Sequence, residues 1–470
     1  MSTSETERRE GARLPDLDSV YTINPDGSRN FLHPADVNGR WQKRKNLIFT
    51  LLIFFYVLLP WVEIRGHPAI LVDISQRQAF LFGHSYTNQD IYLLFFLVSG
   101  FGFLLFVVTS LWGRIWCGFA CPQTVWLEGV FRRLERILEG PREVRIRRNR
   151  GPWNADKLLR KGAKQAAFLL LAFWLSHLFI AYFVPLRQLV HIVIHSPAGH
   201  MTAFVWVLVM TAVLYFDFAW FREQTCTVVC PYGRLQSALI DADTVLIGYD
   251  DARGEPRSKA ANEGGDCIDC RRCVVVCPTG IDIRNGLQLE CIGCANCVDA
   301  CDEIMDRISR PRGLVRYDSQ HGFGGARRTL RRPRVFLYAA LGLVGATVFL
   351  LAASRRTDFE VRALRQRGMP YVLEQETIQN LFNLDVQNKE AVRRVYSVRA
   401  LLPATAPGAE LQVILAEPRI VLEGNADQTV PVFMRLPRSR YQTAVPLQLA
   451  VRDSASNREK RVTVEFLGPE

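Results

Sequence analysis

Eight of the twelve cysteines in this chain lie in two consecutive copies of one closely spaced pattern. Each copy reads C-x2-C-x2-C-x3-C, and the cysteines are Cys267, Cys270, Cys273, Cys277, Cys291, Cys294, Cys297 and Cys301. Cysteine thiolates hold iron-sulfur clusters, and this bacterial ferredoxin spacing is typical of 4Fe-4S clusters. The sequence therefore predicts two 4Fe-4S clusters, which would act as one-electron carriers.

The fourth cysteine of each run is expected to bind the cluster of the other run, as in two-cluster ferredoxins. Cluster one is assigned to Cys267, Cys270, Cys273 and Cys301. Cluster two is assigned to Cys291, Cys294, Cys297 and Cys277. The alternative is structural zinc, but zinc sites use paired C-x2-C groups at longer separations than three cysteines in seven residues. One departure is that Asp302 stands in the second run where Pro278 stands in the first.

The remaining four cysteines form two pairs with a proline next to each. Cys117 and Cys121 lie in CGFACP, and Cys226 and Cys230 lie in CTVVCP. Residues i and i+4 of a helix share a face, so each pair is expected to present both sulfurs in one direction. Each pair directly follows an apolar segment, which suggests an internal repeat that brings the two pairs together.

Four converging thiolates are soft ligands that suit Cu(I) or a further iron-sulfur centre. We interpret Cys117, Cys121, Cys226 and Cys230 as catalytic residues and candidate copper ligands. The alternative is that they are buried apolar cysteines or disulfide partners.

Five apolar segments are each long enough, or nearly so, to cross a bilayer as a helix. They are Leu47 to Val62, Ile91 to Trp112, Ala166 to Val184, Met201 to Trp220 and Val335 to Ala353. About 45 mostly polar residues precede the first segment, so a cleavable signal peptide is not expected.

The formal net charge of +12 is concentrated before the first segment and between the second and third. Basic loops stay on the cytoplasmic side of a membrane. The chain is therefore predicted to cross a bacterial inner membrane with its N-terminus in the cytoplasm and its C-terminus in the periplasm, and not to bind nucleic acid. No cysteine follows Cys301, which agrees with thiols in a reducing cytoplasm and an oxidising exterior.

The predicted fold is multi-domain: a bundle of five transmembrane helices, a cytoplasmic two-cluster ferredoxin-like domain and a C-terminal immunoglobulin-like β-sandwich. About seven alternating strands indicate the sandwich. They are Phe359 to Leu364, Ile378 to Val386, Val395 to Leu401, Leu411 to Leu415, Thr429 to Leu436, Val445 to Val451 and Arg461 to Phe466. Turns are expected at Pro403 to Gly408 and Glu423 to Asn425.

The predicted domain boundaries follow from these segments. They are a cytoplasmic tail, mostly disordered to residue 40, at 1–45; helices one and two at 46–112; a basic cytoplasmic loop at 113–165; helices three and four at 166–221; the ferredoxin domain at 222–333; helix five at 334–353; and the periplasmic domain at 354–470.

An amphipathic stretch, Val125 to Leu138, lies in the basic loop. Val130, Leu134 and Ile137 are expected on one side, and Arg132, Arg133 and Arg136 on another. Such a helix could lie along the anionic inner leaflet. An ordinary solvated helix is the alternative.

Several ionisable residues lie in or near the apolar segments. His177 is expected in the middle of helix three and Asp217 near the inner end of helix four, positions that are functional candidates for proton or quinone chemistry. His191, His195 and His200 cluster near the outer face and are candidate copper ligands. The favoured interpretation of this cluster is an ordinary interfacial group of histidines.

With the double ferredoxin run, the two CxxxCP pairs, five spans and a terminal β-sandwich, the chain resembles the FixG/RdxA/CcoG family of accessory proteins for cbb-type cytochrome c oxidase. The resemblance covers the chain from about Tyr21 to its end. The NapH and NosR membrane ferredoxins resemble the core more distantly, without the C-terminal domain.

The resemblance implies a membrane-bound cupric reductase that supplies Cu(I) to the copper centre of the oxidase. The expected partners are copper chaperones, oxidase subunits and an unidentified cytosolic electron donor. Thiolates favour the soft product Cu(I) over Cu(II), which suits that chemistry. Two alternatives remain: a quinol-linked electron-transfer subunit of the NapH type, and a non-catalytic scaffold for oxidase assembly.

Overall fold

A computed structural model describes residues 29–64, 67–74, 78–87, 90–195, 199–258, 264–354, 357–366, 368–390, 392–401 and 411–469. The helices are α1 (Arg40–Leu58), α2 (Ile91–Trp112), α3 (Ile115–Phe119), α4 (Pro122–Trp126), α5 (Arg132–Glu139), α6 (Arg142–Arg150), α7 (Ala155–Ile180), α8 (Leu186–Ile194), α9 (Met201–Phe216), α10 (Pro231–Leu239), α11 (Asp251–Gly254), α12 (Arg272–Val275), α13 (Asn296–Arg307), α14 (Gln320–Phe323) and α15 (Pro333–Ser354). π-Helical turns span Leu127–Phe131, Asp217–Phe221 and Thr225–Val229.

The strands are β1 (Glu63–Ile64), β2 (His67–Pro68), β3 (Ile70–Asp73), β4 (Gln78–Leu81), β5 (His84–Thr87), β6 (Leu246–Tyr249), β7 (Val315–Asp318), β8 (Phe359–Arg365), β9 (Val372–Glu374), β10 (Thr377–Asn388), β11 (Arg394–Leu401), β12 (Gln412–Leu415), β13 (Arg419–Leu422), β14 (Asp427–Pro437), β15 (Val445–Asp453) and β16 (Glu459–Phe466). The chain forms two compact units. The described residues of the first lie in 29–59, 95–182 and 186–348, and those of the second in 60–94, 183–185 and 349–469.

Five helices in the described residues are long and apolar enough to cross a membrane. They are Arg40–Trp61, Tyr92–Trp112, Ala155–Ile180, Met201–Phe221 and Pro333–Ser354. Two of them begin well before their apolar segments, at residue 40 instead of 46 and at residue 155 instead of 166. At the second, Asn154 is the N-cap and its side chain accepts a hydrogen bond from the Lys157 amide at 2.8 Å, so the helix starts in polar sequence.

The early start of α1 has a tertiary cause. The Asp299 carboxylate accepts hydrogen bonds from the free amides of Trp41 at 3.2 Å and of Gln42 at 2.7 Å. A carboxylate at a helix N-terminus satisfies these donors and complements the helix dipole. The cap comes from α13, far along the chain, so the local sequence gives no sign of it.

Residues 29–39, which precede α1, are ordered, so the prediction of a mostly disordered tail to residue 40 is wrong for these residues. The Ala35 amide donates to the Val275 carbonyl at 3.0 Å, and Val37 packs with Val276 and Ala300. Residues 35–37 therefore lie against the cysteine-rich domain. The predicted ordered piece at Val20 to Ile23 is outside the described residues.

The basic connection before α7 is largely helical, and its predicted division into an apolar and a basic side is confirmed only in part. Leu134 packs against the core and Arg133 and Arg136 are exposed, but Ile137 and Arg132 are on the wrong sides. Ile137 is 76% exposed, whereas Arg132 is 8% and Glu135 1% exposed. The π-helical turn Leu127–Phe131 shifts the helical phase. The face of α5 that turns inward is consequently charged, and its charges are paired.

The C-terminal domain is a β-sandwich of two antiparallel sheets with strand orders β12-β14-β10-β8 and β13-β11-β15-β16, and β9 pairs with β10. Alternate residues of β10 are buried, as expected for a strand with one face on a core. All seven predicted strands are present, and the predicted turn at Glu423 to Asn425 separates β13 from β14. The turn at Pro403 to Gly408 lies outside the described residues.

Two strands of the described sandwich are additional to the prediction. β9 is exposed along its whole length, so it lacks the alternation that reveals a strand. β13 has only four residues.

The segment 60–94 belongs to the same unit as the sandwich. Ser85 donates a hydrogen bond to the Lys389 carbonyl at 2.5 Å, and the Asn425 side chain lies 3.1 Å from the His67 ring. The segment that joins the first two spans and the domain that follows the fifth therefore lie on the same side of the membrane, as alternating spans require.

Candidate electron-transfer site

The two cysteine runs adopt the same backbone conformation. The residues on either side of the middle cysteine have positive φ in both, with Asp269 at 49° and Arg271 at 53° in the first run, and Gly293 at 66° and Ala295 at 60° in the second. A short helix, α12 or α13, follows each turn. This tight left-handed turning wraps three cysteines of a run around one point.

The first run and the end of the second line one cavity. Four of its lining residues are Cys267, Cys270, Cys273 and Cys301. Cys301 lies on α13, which brings it across from the second run. The structure thus gathers the four cysteines that the sequence assigns to cluster one.

A second cavity is lined by the four cysteines that the sequence assigns to cluster two. Cys291, Cys294, Cys297 and Cys277 line it, and Cys273 also reaches its wall. The grouping is again the one that the sequence assigns, here to cluster two. Apolar side chains pack around both cavities and form a shared core, and Cys267, Cys273, Cys294 and Cys297 are buried, whereas Cys270 is exposed.

The donor set fits iron-sulfur clusters. Burial is the main cause that raises the pKa of Cys273, Cys291 and Cys301 to about 12, and the charge of neighbouring cysteines raises it further. Four thiolates held this close in an apolar setting need a strong positive charge between them. When bound, the clusters supply one-electron redox chemistry.

Replacing Cys301 by serine should remove cluster one and leave cluster two. We expect iron to fall from about eight to about four atoms per chain, because each cluster contains four. Iron analysis and electron paramagnetic resonance of the reduced protein would measure this. The neighbouring change Asp302→Asn is the control, and loss of both clusters in Cys301→Ser alone would contradict the independent assignment.

The two CxxxCP pairs come together at a third place, which we call the four-cysteine site. Burial raises the pKa of Cys226, and the charges of Cys121, Cys117 and Cys230 raise it further. Burial also raises the pKa of Cys117 to about 11. The Cys117 sulfur lies 3.5 Å from the side chain of Gln236, which is fully buried. The predicted convergence of the pairs is therefore present.

Among the described residues, no group of three or more His, Cys, Asp or Glu side chains is arranged to hold a single metal ion. At the four-cysteine site it means that no closed copper shell is preformed. Copper binding there stays a prediction.

The four-cysteine site contacts the loop that carries the cluster-two residue Cys294 through a glycine. Gly118 lies between Cys117 and Cys121, and a Cβ atom added there would be 2.6 Å from the Gly293 carbonyl oxygen and 2.9 Å from Cys294 Cα. Cys294 is a cluster-two residue. Only glycine allows this approach of one backbone to another. The backbone of the loop that would hold cluster two is therefore in direct contact with the backbone of the four-cysteine site.

Two buried cations lie at this contact. Lys45 is 2% exposed and donates to the Asn296 side chain. Burial raises the pKa of Cys294 to about 11, and the positive charge of Lys45 opposes that rise. Arg114 is 7% exposed. Its charge lowers the pKa of Cys117 and of Cys291, against the larger effect of burial, which raises both. Positive charge here favours the more negative, reduced state of the site. The basic residues were predicted only to set the membrane topology, so this role of Lys45 and Arg114 is additional to the prediction.

A buried ion-pair network fixes the second pair of cysteines against cluster two. Arg132 donates to the Glu223 carboxylate at 3.0 Å and to the Pro278 carbonyl at 3.2 Å. Glu223 precedes Cys226 by three residues, and Pro278 follows Cys277. One guanidinium therefore links the two motifs.

Of the ionisable residues predicted as functional candidates, Asp217 lies beside the four-cysteine site. The histidines His177, His191, His195 and His200 do not. The Asp217 carboxylate accepts hydrogen bonds from Gln123 at 3.1 Å and from Thr225. His177 contacts only the carbonyl of Phe173 in its own helix among its described hydrogen-bond partners, at 2.9 Å. The rings of His191 and His195 stack 3.9 Å apart on the surface, and His200 is also exposed.

Three family models match the chain. One described as a 4Fe-4S dicluster domain matches residues 221–320, and one described as a 4Fe-4S binding domain matches residues 93–141. A third, described as an IG-like fold at the C-terminal of FixG, matches residues 349–469. Together they cover the cysteine-rich regions and the sandwich.

Three curated proteins resemble most of the chain. Nitrogen fixation protein FixG of Rhizobium meliloti is 32% identical over 482 residues, which cover 92% of each chain. Protein RdxA of Cereibacter sphaeroides is 34% identical and covers 87% of this chain and 90% of its own. Protein RdxB of the same organism is 35% identical and covers 79% of this chain and 82% of its own.

Proposed function

Because the chain belongs to the FixG/RdxA family of membrane iron-sulfur electron-transfer proteins, we propose that it reduces Cu(II) to Cu(I) at the four-cysteine site. The product serves assembly of the copper centre of a cbb-type cytochrome c oxidase. Copper chaperones and oxidase subunits are its partners, and the sandwich is the module that contacts them.

The contact of Gly118 with Gly293 and Cys294 is the observation that supports this proposal most strongly. It offers an uninterrupted protein path from a cluster-two ligand to four thiols. Lys45 and Arg114 hold positive charge at that path, which stabilises an added electron. Cu(II) takes up one electron per ion, and the thiols bind the soft product more strongly than the substrate.

An open site suits a metal ion that is a substrate. A resident metal needs a closed shell of ligands, whereas Cu(I) has to leave for the next carrier. The described residues offer no closed single-ion shell, and Cys117, Cys121, Cys226 and Cys230 are all partly exposed.

The orientation in the proposal places the N-terminus and all twelve cysteines on the cytoplasmic side of the inner membrane and the sandwich in the periplasm. The distribution of basic residues supports it. The absence of cysteine after Cys301 also supports it, because a periplasmic domain without thiols cannot form unwanted disulfides.

The test is an anaerobic reoxidation experiment. The purified protein is reduced with dithionite and freed of excess reductant, Cu(II) is added, and cluster absorbance is followed together with Cu(I) captured by a chelator. We expect one Cu(I) per electron lost from the clusters. The double change Cys117→Ser, Cys226→Ser should reduce the rate by about 100-fold or more, as removal of a transition-state contact group does.

Thr227→Ala is the matched control, since it alters the same CTVVCP motif without removing a thiol. Full-rate Cu(I) formation in the double variant would overturn the proposed site. If Cu(II) does not reoxidise the reduced clusters, and cells that carry the double variant still assemble the oxidase normally, the function is that of a scaffold.

A further inference from the structure

An apolar cavity adjoins the cluster-two ligand Cys291. Trp112, Ile240, Leu246, Leu287 and Leu289 form most of its wall. Its volume is about 130 Å³, several times the ~30 Å³ share of one water molecule. The cavity can therefore hold a single aromatic ring, and its wall would exclude water from that ring.

The mouth of this cavity lies at a membrane boundary. Trp112 is the last residue of the second span, and tryptophan is enriched at such interfaces. Trp112, Leu287 and Leu289 are 45%, 46% and 60% exposed. An apolar, exposed rim next to the end of a span is suited to a ligand that arrives from the lipid with an apolar tail.

Four polar side chains complete the wall, those of Arg114, Ser237, Gln288 and Tyr317. The Tyr317 hydroxyl donates to the Gly293 carbonyl at 2.6 Å. Arg114 is nearly buried and donates to the Gly233 carbonyl, and its guanidinium has further N–H groups. The Ser237 hydroxyl and the Gln288 amide donate to backbone carbonyls at 2.6 Å and 2.8 Å, so their oxygens remain able to accept. The cavity thus offers a donor for a ring carbonyl and acceptors for ring hydroxyls.

The same wall includes Cys291 and Gly293. A ring in the cavity would contact a cluster-two ligand on one side of the loop, and Gly118 contacts that loop from another direction. Arg114 is the one cation among the lining residues, so the cavity has little to offer the phosphates of a nucleotide. We propose that it binds a membrane quinol, which is the electron donor of this protein.

The proposal rests on the proposed copper reduction and supplies its missing reductant. Oxidation of one quinol breaks two O–H bonds and releases two electrons and two protons. The electrons leave one at a time through the Cys291 side of the cavity and reduce two Cu(II) ions to two Cu(I) ions. The protons pass by way of Ser237 and Gln288 to solvent at the rim.

The test measures binding and reduction separately on the full-length holoprotein in detergent. Binding uses heptyl-hydroxyquinoline N-oxide, a redox-inert quinone mimic whose fluorescence is quenched when it binds. Reduction uses decylubiquinol and follows cluster absorbance. Ser237→Phe fills the cavity from the exposed face of α10, and we expect it to weaken binding and to slow reduction by quinol about tenfold or more, while dithionite still reduces its clusters.

Ala238→Phe is the matched control, because the neighbouring residue is exposed and does not line the cavity. Leu289→Asp, at the rim, is a second variant and should weaken binding without filling the cavity. Failure of the wild type to bind the mimic saturably, or equal binding by wild type and both variants, would overturn the quinol site.

Copper reduction by the dithionite-reduced proteins separates the two proposals. If wild type and Ser237→Phe both form Cu(I) but neither binds the mimic, the donor site is wrong and the copper function stands. If quinol reduces the wild type through the cavity and no Cu(I) forms, the copper function is wrong and the quinol site stands.

Discussion

Replacing Gly118 by alanine should slow electron transfer from the reduced clusters to Cu(II) by ~10-fold or more, because small displacements of reacting groups have effects of this size. The new methyl group would lie 2.6 Å and 2.8 Å from the Gly293 carbonyl oxygen and carbon, and 2.9 Å from Cys294 Cα. All three atoms belong to the backbone, so no side chain can turn aside. The loop that carries a cluster-two ligand has to move away from the four-cysteine site.

The measurement is the rate of cluster reoxidation after Cu(II) is added to reduced protein. Gly162→Ala is the matched control: Gly162 also lies in a helix, and nothing is within 4 Å of the position of its added Cβ. That variant should react at the wild-type rate. A wild-type rate in Gly118→Ala, with cluster two present by electron paramagnetic resonance, would show that electrons leave by another path.

Replacing Glu135 by alanine should destabilise the first unit by about 3 kcal/mol or more, as loss of one partner of a buried ion pair does. Glu135 is 1% exposed. It pairs with Arg145 at 3.1 Å, Arg222 at 3.2 Å and Lys164 at 3.5 Å. The change leaves Arg145 and Arg222 short of a counter-charge, whereas Lys164 keeps Glu139 at 3.0 Å. Because Arg222 precedes Cys226 by four residues, the four-cysteine site should also loosen.

The pH dependence of this effect follows from the pKa of the carboxyl group. Burial would raise the pKa of Glu135, but the charges of Arg222, Lys164 and Arg145 outweigh it and lower that pKa to about 2 from the usual 4.5. A depressed folded-state pKa contributes stability that is complete above the unfolded value and is lost as pH falls through the folded value. The loss in free energy of unfolding caused by Glu135→Ala should therefore be constant between about pH 6 and 8.

Thermal unfolding in detergent, followed by circular dichroism, would measure this loss. Glu143→Ala is the control, since Glu143 is an exposed glutamate close by in the same connection. The free energy of unfolding of this variant should lie within about 0.5 kcal/mol of the wild-type value. An equally small effect of Glu135→Ala would mean that the buried cations find other partners.

Much of the site could be predicted because its signals are local. The three closely spaced cysteines of each run determine which sulfurs can reach one cluster, and the structure groups Cys301 with the first run and Cys277 with the second. The convergence of the CxxxCP pairs followed from their repetition after two spans. The sandwich followed from the period-two alternation that is clearest in β10.

The errors arose where distant residues decide local structure. The start of α1 at Arg40 depends on Asp299. The inward face of α5 depends on Arg222 and Lys164 and on a π-helical turn, so hydrophobic periodicity assigned Ile137 and Arg132 to the wrong sides. Neither partner is visible in a window of neighbouring sequence.

By itself, the sequence determined the kinds of chemistry and the elements that carry it: cysteine spacing specified the ligand sets, apolar length specified the five spans, and alternation specified the sandwich. These are properties of short segments. Only the tertiary structure decided how the sets communicate, because contacts such as Gly118 with Gly293 and Lys45 with Asn296 join residues more than a hundred positions apart. Such contacts depend on which surfaces can pack without voids or unpaired charge, and packing of that kind is settled by the whole chain at once.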